Sequence, residues 1–342
     1  MNKIAFVETT EWERGILNNF PQFVEIADFY PQAINEENAS EFQDYEIISS
    51  FINSKFNREV LNNLPNLKFI ATRSTGFDHI DLQYCQEKQI MVSNVPSYGS
   101  HTVAEYTFGL LLCLVRKIYQ AYDKVRETGS FELTGLTGEE LFNKTIGVVG
   151  TGRIGKNVLK ISRGFEMKML AFDLYPDEKL AQELGFSYVS RDQLFQESDI
   201  ITFHLPYNQD THHFLNEDNI KLVKKGAYII NTSRGGIIET SALYKALKSG
   251  QIKGVALDVL EEEGDIKEEQ ELMVKGAIKE PEQLKTLILN HLLIDLDNVL
   301  ISPHNAFNTF EGLASIISTT LDNIKAYISN QPQNIVSARL TL

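Results

Sequence analysis

The glycine-rich run Gly150-Thr-Gly-Arg-Ile-Gly155 most constrains what this chain can fold into. It follows the apolar segment Thr145-Ile-Gly-Val-Val149, which predicts a strand, and it opens a helical pattern that runs to about Phe165. In such a unit the first glycine permits a tight turn, the second lets the backbone approach a pyrophosphate, and the third lets the helix pack on the strand. The helix N-terminus would hold the pyrophosphate with its positive end. The order of elements therefore predicts a dinucleotide site shaped by Gly150, Gly152 and Gly155.

The next predicted strand ends on an acidic residue, Asp173, 18 residues beyond Gly155. A carboxylate at this position can accept hydrogen bonds from both ribose hydroxyls of the cofactor, and it would repel a 2′-phosphate. The alternative is an ordinary turn residue at a strand end. Inside this strand–turn–helix unit the acid favours NAD over NADP.

Short apolar runs alternate with helical patterns along almost the whole chain, which is typical of α/β proteins with parallel sheets. A chain of 342 residues is longer than one hydrophobic core usually serves, so we predict two domains, each with a doubly wound parallel sheet. Strands are predicted near residues 4–7, 25–29, 46–51, 67–72 and 91–94, and in a second series near 146–149, 168–173, 200–204, 227–231, 254–258 and 299–302.

Three other segments have helical spacing. Between Val103 and Arg126 the pattern predicts one long helix with an apolar centre, either deeply buried or part of a subunit interface. A last amphipathic helix is predicted near residues 311–329. The Glu- and Lys-rich stretch between Glu261 and Asp295 is interpreted as a surface excursion whose charges are solvated.

Composition excludes several classes of protein. The chain carries 32 Lys and Arg against 46 Asp and Glu, a formal net charge of −14, which would repel a nucleic acid. Cys85 and Cys113 have no CxxC or Cys/His neighbour, so we expect no metal site and no disulfide framework. Apolar runs are too short for a membrane span, and the N-terminus predicts a strand rather than a signal peptide. We expect a cytoplasmic protein with no membrane partner.

Hydride transfer between NAD and a carbonyl needs one group that fixes a substrate carboxylate and another that exchanges the hydroxyl proton. In open α/β sheets such groups lie just past the carboxyl ends of strands. Arg234, Glu263 and His304 each follow a predicted strand. A guanidinium can bind a carboxylate through two parallel hydrogen bonds, and an imidazole suits proton exchange near neutral pH.

Each of the three has a structural alternative. Arg234 precedes two glycines and could cap a helix, Glu263 is the third of three consecutive glutamates and could be solvated, and His304 could be a structural histidine. Their shared position at strand ends, after a dinucleotide turn, favours the functional interpretation.

With these residues identified, the chain resembles the D-isomer-specific 2-hydroxyacid dehydrogenases over nearly its whole length, and within them the D-lactate dehydrogenase branch. The matching segments occur in the family's order. They are Arg73-Ser-Thr-Gly-Phe-Asp-His-Ile-Asp81, Asn94-Val-Pro-Ser-Tyr98, Val103-Ala-Glu-Tyr106, Gly147-Val-Val-Gly-Thr-Gly-Arg-Ile-Gly155, His204-Leu-Pro206, Asn231-Thr-Ser-Arg-Gly235, Ala256-Leu-Asp-Val259 and Ser302-Pro-His-Asn-Ala306.

The resemblance implies a role for each candidate. Arg234 binds the substrate carboxylate, His304 exchanges a proton with the keto oxygen, and Glu263 pairs with His304 and favours its protonated form. The family's spacing of five residues after Asp258 selects Glu263 over Glu261 and Glu262. Besides the three glycines and Asp173, the implied cofactor residues are Arg153, Ile154, His204, Leu205, Pro206, Thr211, Thr232, Ser233 and Asp258, and the implied substrate contacts are Thr75, Gly76, Tyr98 and Arg234.

The resemblance also implies the domain order and the assembly. A Rossmann NAD-binding domain, residues 99–308, would be inserted into a flavodoxin-like substrate (catalytic) domain made of residues 1–98 and 309–342. The helix predicted between Val103 and Arg126 would be the contact of a homodimer.

The choice of substrate stays open. D-lactate enzymes carry an aromatic pair soon after the catalytic histidine, whereas this chain has Phe307-Asn308, and the excursion from Gly264 to Asp295 is nearer the D-lactate pattern. Pyruvate and D-lactate are the expected pair, and the alternatives are a bulkier 2-keto acid, glyoxylate or hydroxypyruvate. A different class is an NAD-sensing corepressor-like binding protein, which has no need of the complete set of Arg234, Glu263 and His304.

Overall fold

The computed structural model describes residues 3–18, 20–21, 26–262 and 281–336. It divides into two compact units, one made of Met1–Tyr98 with Asn308–Leu342 and the other of Gly99–Phe307. Among the described residues, none of the helices is long and apolar enough to cross a membrane.

The described elements alternate between strand and helix in both units. The strands are β1 (Ile4–Phe6), β2 (Ala27–Phe29), β3 (Ile47–Ser50), β4 (Phe69–Thr72), β5 (Met91–Ser93), β6 (Thr145–Val149), β7 (Lys168–Phe172), β8 (Ser187–Tyr188), β9 (Ile200–Phe203), β10 (Ala227–Asn231), β11 (Ile252–Leu257), β12 (Val299–Ile301) and β13 (Ile335–Val336). The helices are α1 (Glu11–Leu17), α2 (Arg58–Asn62), α3 (Leu82–Glu87), α4 (Ser100–Val115), α5 (Ile118–Thr128), α6 (Arg153–Gly164), α7 (Glu178–Leu184), α8 (Arg191–Glu197), α9 (Thr240–Lys248), α10 (Pro281–Ile294) and α11 (Phe310–Ile328).

The first unit is built on a six-stranded sheet in the order β13-β5-β4-β3-β1-β2. Its strands pair in parallel except β13, which is antiparallel to β5. One hydrophobic cluster around Phe42, Ile48 and Ile70 and another around Phe6, Phe69 and Leu321 cover the sheet. Because both faces of the sheet are covered, every residue of β1, β3 and β4 is buried instead of every second one.

The second unit has a seven-stranded sheet in the order β12-β11-β10-β9-β6-β7-β8, in which every pair is parallel. From β6 the chain moves outward through β7 and β8, then returns to β9 on the other side of β6. Such a reversal leaves a crevice at the carboxyl ends of the two central strands, where ligands bind in this architecture. The predicted fold class, two doubly wound α/β units, is therefore confirmed, with β13 as an antiparallel addition.

The prediction of one long helix between Val103 and Arg126 is wrong. Two helices, α4 and α5, meet at Arg116 and Lys117, and Lys117 has a left-handed backbone with φ of 53°. A left-handed residue ends the α-helical hydrogen-bond ladder. Without a glycine or proline at the break, the sequence gives no local signal for it. Helix α4 is largely buried, whereas α5 has no buried residue.

The excursion after β11 is only partly described, because residues 263–280 lie outside the described ranges. Its second half forms α10, which buries Leu287 and Leu293 almost completely and packs Leu293 into the core of the second unit. The charged residues Lys285 and Asp295 are exposed, as the interpretation of a solvated surface segment expected, whereas the burial of Leu287 and Leu293 was not predicted.

Candidate active site

The glycine turn between β6 and α6 has the close approaches that a dinucleotide site requires. Gly150 has φ of 93°, and a Cβ there would lie 2.7 Å from the carbonyl oxygen of His204. A Cβ on Gly155 would lie 1.9 Å from the carbonyl oxygen of Gly150, so only glycine lets the helix pack this closely on the turn. By contrast, a Cβ on Gly152 would meet no atom within 4 Å, so the space in front of this residue is open.

Helix α6 begins at Arg153, directly after that open space. The residue before it, Gly152, has no side chain to cap the first N–H groups of the helix. Uncapped N–H groups and the helix dipole together attract an anion. Arg153 is exposed and Ile154 half-buried at the same end of the helix. The turn therefore fits the pyrophosphate of NAD, and the contacts of Arg153 and Ile154 with it stay predictions.

Asp173 follows β7 and is held against the glycine turn. One carboxylate oxygen accepts hydrogen bonds from the backbone N–H of Thr151 (2.7 Å) and from its hydroxyl (3.0 Å), and the other accepts the N–H of Tyr175 (2.9 Å). The Thr151 hydroxyl also lies 2.8 Å from that of Tyr188. The oxygens keep lone pairs for ribose hydroxyls. Sequence reasoning missed Thr151 and Tyr188 as groups that fix this carboxylate.

The loop after β9 contains four of the predicted cofactor residues. His204 contacts the Thr202 hydroxyl through Nε2 at 3.0 Å, and burial lowers the pKa of His204 to about 3, so its ring is neutral. Within the described residues its buried Nδ1 makes no hydrogen bond. The Thr211 hydroxyl donates to the Pro206 carbonyl (2.6 Å) and closes the loop. Leu205 is half-buried and Pro206 exposed, and the cofactor contacts of this loop stay predictions.

Arg234 lies in a turn that Asn231 holds from inside the sheet. The buried Asn231 amide donates to the Arg234 carbonyl (2.8 Å), while its oxygen accepts the N–H and hydroxyl of Ser233 (3.0 and 2.7 Å). The Thr232 hydroxyl is 3.0 Å from that of Thr107 on α4. The guanidinium of Arg234 donates to the carbonyl of Ser233 at 2.8 Å. Asn231, at the end of β10, thus fixes the turn, and Arg234 in this turn is half-buried.

His304 follows β12 in a left-handed conformation with φ of 53°. The buried carboxylate of Asp258 holds this turn, because it accepts hydrogen bonds from the Ser302 hydroxyl (2.6 Å) and from the N–H groups of Asn305 and Ala306 (2.8 Å each). The N–H of His304 donates to the Asp258 carbonyl at 2.8 Å. Burial raises the pKa of Asp258, and the three hydrogen bonds act in the opposite direction. Besides its predicted cofactor contact, Asp258 therefore positions the His304 turn.

Glu263 lies outside the described residues, and its pairing with His304 stays a prediction. The structure does describe Glu261, which is largely buried and fully engaged. Its carboxylate accepts hydrogen bonds from Nε2 of His213 (2.5 Å) and from the N–H and hydroxyl of Thr240 (3.1 and 2.8 Å). Glu261 is thus a structural acid, which is consistent with the choice of Glu263 as the catalytic one.

The predicted substrate contacts Thr75 and Gly76 lie in the first unit, in the loop after β4. The Thr75 hydroxyl donates to the Val95 carbonyl (2.8 Å). At the start of this loop, Arg73 is 1% exposed and donates to Glu13 (3.1 Å), to one carbonyl within β3 and to two carbonyls just after β1. Arg73 therefore ties strand ends together rather than offering a free cation. Tyr98, the third predicted substrate contact of this unit, is half-buried.

One row of register partners brings the second unit's candidates to the same edge of the sheet. Phe172, Val149, Phe203, Asn231, Leu257 and Ile301 are successive neighbours across it. Asp173 and Asp258 come one residue beyond the row, and Arg234 and His304 come three beyond it. No cluster of potential metal ligands occurs among the residues that the structure describes.

Replacing Asp173 with Asn should raise the kcat/KM with NADPH relative to NADH about five- to tenfold, because about 1 kcal/mol of like-charge repulsion at 4 Å is lost in water-like surroundings. Initial rates with both cofactors measure this ratio. The matched control is Asp192→Asn, which changes an exposed carboxylate on α8. An unchanged ratio in the Asp173 variant would show that this carboxylate does not select the cofactor.

Comparison with known proteins agrees with this geometry. The sequence model of the D-isomer specific 2-hydroxyacid dehydrogenase, NAD binding domain, matches residues 108–306. The chain is 37% identical to a D-lactate dehydrogenase of Escherichia coli over 94% of its length and 95% of that protein. It is 36% identical to an aromatic 2-oxoacid reductase of Clostridium sporogenes over 91% of its length and 92% of that protein.

Among solved structures, the D-lactate dehydrogenase of Aquifex aeolicus complexed with NAD and lactic acid superposes with a TM-score of 0.83 at 35% identity, covering 96% of both chains. The family model covers more than half of the chain, and the sequence identities extend over more than nine-tenths of it, which is more than a shared fold alone would give. The chain belongs to the D-isomer specific 2-hydroxyacid dehydrogenases, and it is an NAD-dependent dehydrogenase.

Proposed function

We propose that this dehydrogenase reduces pyruvate to D-lactate with NADH and catalyses the reverse oxidation. The observation that carries the proposal is the row of register partners, which brings the Arg234 turn, Asp258 and the His304 turn to the same sheet edge as the dinucleotide turn. A carboxylate-binding cation and a proton carrier beside a nicotinamide cofactor are the groups that reduction of a 2-keto acid requires.

The chain's own residues divide the work as follows. NAD, when bound, supplies or accepts the hydride. The Arg234 guanidinium binds the substrate carboxylate through two hydrogen bonds and polarises the adjacent keto oxygen. His304 donates a proton to that oxygen in reduction and takes it back in oxidation, and Glu263 favours the protonated imidazole. Thr75, Gly76 and Tyr98 are proposed as further substrate contacts, in keeping with a substrate-binding role for the first unit.

Pyruvate is proposed because relatives named D-lactate dehydrogenase align over nearly the whole chain. The relative named an aromatic 2-oxoacid reductase supports a bulkier 2-keto acid as the alternative. At Phe307-Asn308 the second position is a small polar residue, which leaves more room than an aromatic side chain would.

The test is NADH oxidation by the pure protein with pyruvate, 2-ketobutyrate, 2-ketoisocaproate, phenylpyruvate, hydroxypyruvate and glyoxylate. The proposal expects the highest kcat/KM with pyruvate. A higher value with phenylpyruvate or 2-ketoisocaproate would transfer the proposal to the bulkier substrate. Binding of NADH without turnover of any of these acids would favour the NAD-sensing binding protein.

In the same assay Arg234→Lys should lose about 10- to 100-fold in kcat/KM, since an ammonium cannot reproduce two parallel hydrogen bonds to a carboxylate. Arg163→Lys is the matched control, because Arg163 lies on the last turn of α6 and its guanidinium donates to the exposed carbonyl of Glu183, away from the Arg234 turn. Near-parental turnover of Arg234→Lys would refute bidentate binding of the substrate.

A homodimer is proposed from the exposed apolar face of α5 and the following loop. Ile118, Tyr119, Tyr122 and Val125 are 42–59% exposed, and Phe131 and Leu133 are at least 80% exposed. Six large apolar side chains exposed within one short segment are typical of a protein interface. A second copy of this chain is the proposed partner.

The cytoplasm is the proposed compartment. Cys85 and Cys113 are free thiols, as is usual for proteins in a reducing compartment.

Light scattering of the purified protein should give twice the mass of one chain, and Tyr122→Glu should shift it to the monomer, because a charge in an apolar interface loses its hydration. Tyr175→Glu is the control, since Tyr175 is also an exposed tyrosine (83%, against 59% for Tyr122) but lies after β7. A monomeric parent protein, or a dimeric Tyr122 variant, would contradict this interface.

A further inference from the structure

A histidine and a glutamate outside the proposed catalytic set connect the two loops on either side of the Arg234 turn. Nε2 of His213 and Oε1 of Glu261 are 2.5 Å apart, and their side chains are 31% and 14% exposed. His213 lies in the loop after β9, and Glu261 lies in the segment after β11. The turn that carries Arg234, after β10, lies between them in the sheet order. We call this pair the His213–Glu261 tie.

The Arg234 turn is held on one side by the His213 segment. The N–H of His213 donates to the Gly236 carbonyl (2.8 Å), and the N–H of Leu215 donates to the Ile237 carbonyl (3.1 Å). A Cβ on Gly236 would lie 2.7 Å from the Tyr207 ring, so this side of the turn is packed without spare room.

The segment after β11 holds the opposite side of the turn. A Cβ on Gly235 would lie 2.0 Å from the carbonyl carbon of Leu260 and 2.3 Å from the N–H nitrogen of Glu261. The backbone next to Arg234 therefore lies directly against Leu260 and Glu261. Because the glycine provides no side chain to lock this contact, the separation of the two backbones depends on what anchors Glu261.

Glu261 is anchored to the rest of the second unit at three points besides His213. Its carboxylate accepts the N–H and hydroxyl of Thr240 at the start of α9, and its carbonyl accepts the side-chain amide of Asn290 on α10 at 2.8 Å. His213 is therefore bound, through Glu261, to two helices that lie beyond the turn.

We propose that the His213–Glu261 tie is a positioning device for Arg234: it holds the segments on both sides of the Arg234 turn at a fixed separation, and so sets where the guanidinium meets the substrate carboxylate. This inference rests on the proposed function of Arg234. Neither residue touches substrate in this account, and both act through the turn.

The neighbours of His213 provide a matched control. His212 stacks on His213 with ring centroids 3.8 Å apart, but its own hydrogen bond goes to the Tyr207 hydroxyl at 3.0 Å. Glu239 is the other charged group near His213, and its carboxylate accepts the Ser241 hydroxyl and the N–H of Glu217. A change at His212 thus removes an adjacent imidazole of the same chemistry and leaves the tie intact.

His213→Leu should raise the KM for the 2-keto acid and lower kcat/KM about 10- to 100-fold, because a displacement of about 1 Å in a positioning group has effects of this size. The Kd of NADH, followed by fluorescence, should stay within about twofold of the parent, since the glycine turn is unchanged. The Kd of oxamate, a carboxylate analogue of pyruvate, on the NADH-loaded enzyme should weaken by about the same factor as KM. His213→Gln keeps an N–H donor and should recover most of the loss.

His212→Leu should match the parent in all of these measurements. Glu261→Ala removes the other partner of the tie, and should His213→Leu not fold, Glu261→Ala is expected to show the same rise in KM. The double variant should be no worse than either single variant, because the effects of coupled sites are not additive. Parental kinetics in both His213→Leu and Glu261→Ala, or equal losses in His212→Leu, would overturn the proposal.

Hydrogen exchange separates failure of this inference from failure of the proposed function. The amides of His213 and Leu215, which donate to the carbonyls of Gly236 and Ile237, should exchange faster in His213→Leu than in His212→Leu. This readout needs no turnover, so it tests the tie even if no 2-keto acid is reduced. Unchanged exchange in His213→Leu would contradict the tie, whereas faster exchange in an inactive protein would refute only the proposed substrate.

Discussion

The alignment of parallel strands in the second unit is the constraint on which the proposed chemistry depends. Because the register partners run straight from Phe172 through Val149 and Asn231 to Ile301, the first residues after six strands emerge at one edge of the sheet. Short loops then suffice to place the acid proposed for the ribose, the cation proposed for the substrate carboxylate and the imidazole proposed for proton exchange. The rigid sheet determines where these loops start, and hydrogen bonds within the loops determine where the side chains end.

Buried polar groups supply that second level of control. Asn231 holds the Arg234 turn, and Asp258 holds the His304 turn, each from a position that is about 1% exposed. A left-handed backbone at a residue such as His304 costs about 1–3 kcal/mol and persists only when its surroundings enforce it. The three hydrogen bonds to the Asp258 carboxylate provide that enforcement. The strained backbone of His304, the proposed proton carrier, and the buried carboxylate of Asp258 are therefore two parts of one arrangement.

Local sequence patterns were sufficient for much of this structure. Apolar runs predicted the long buried strands, and the glycine spacing predicted the turn at Gly150, because both depend on neighbours along the chain. The break at Lys117 and the two-residue strands β8 and β13 depend on tertiary packing, and no residue at those places indicates them. Three consecutive glutamates look alike in sequence, yet Glu261 is buried against His213, 48 residues away. Such a contact becomes visible only in the folded chain.

Hydride transfer at this sheet edge is tested most directly with pyruvate and NADH that carries deuterium at both hydrogen positions of the reactive nicotinamide carbon, so that either face delivers the label. Direct hydride transfer with His304 as the proton donor predicts D-lactate that carries one deuterium at C2, observed by NMR and by chiral separation. Unlabelled lactate would contradict direct hydride transfer from NADH. A racemic product would contradict a substrate held in one orientation by the groups at this sheet edge.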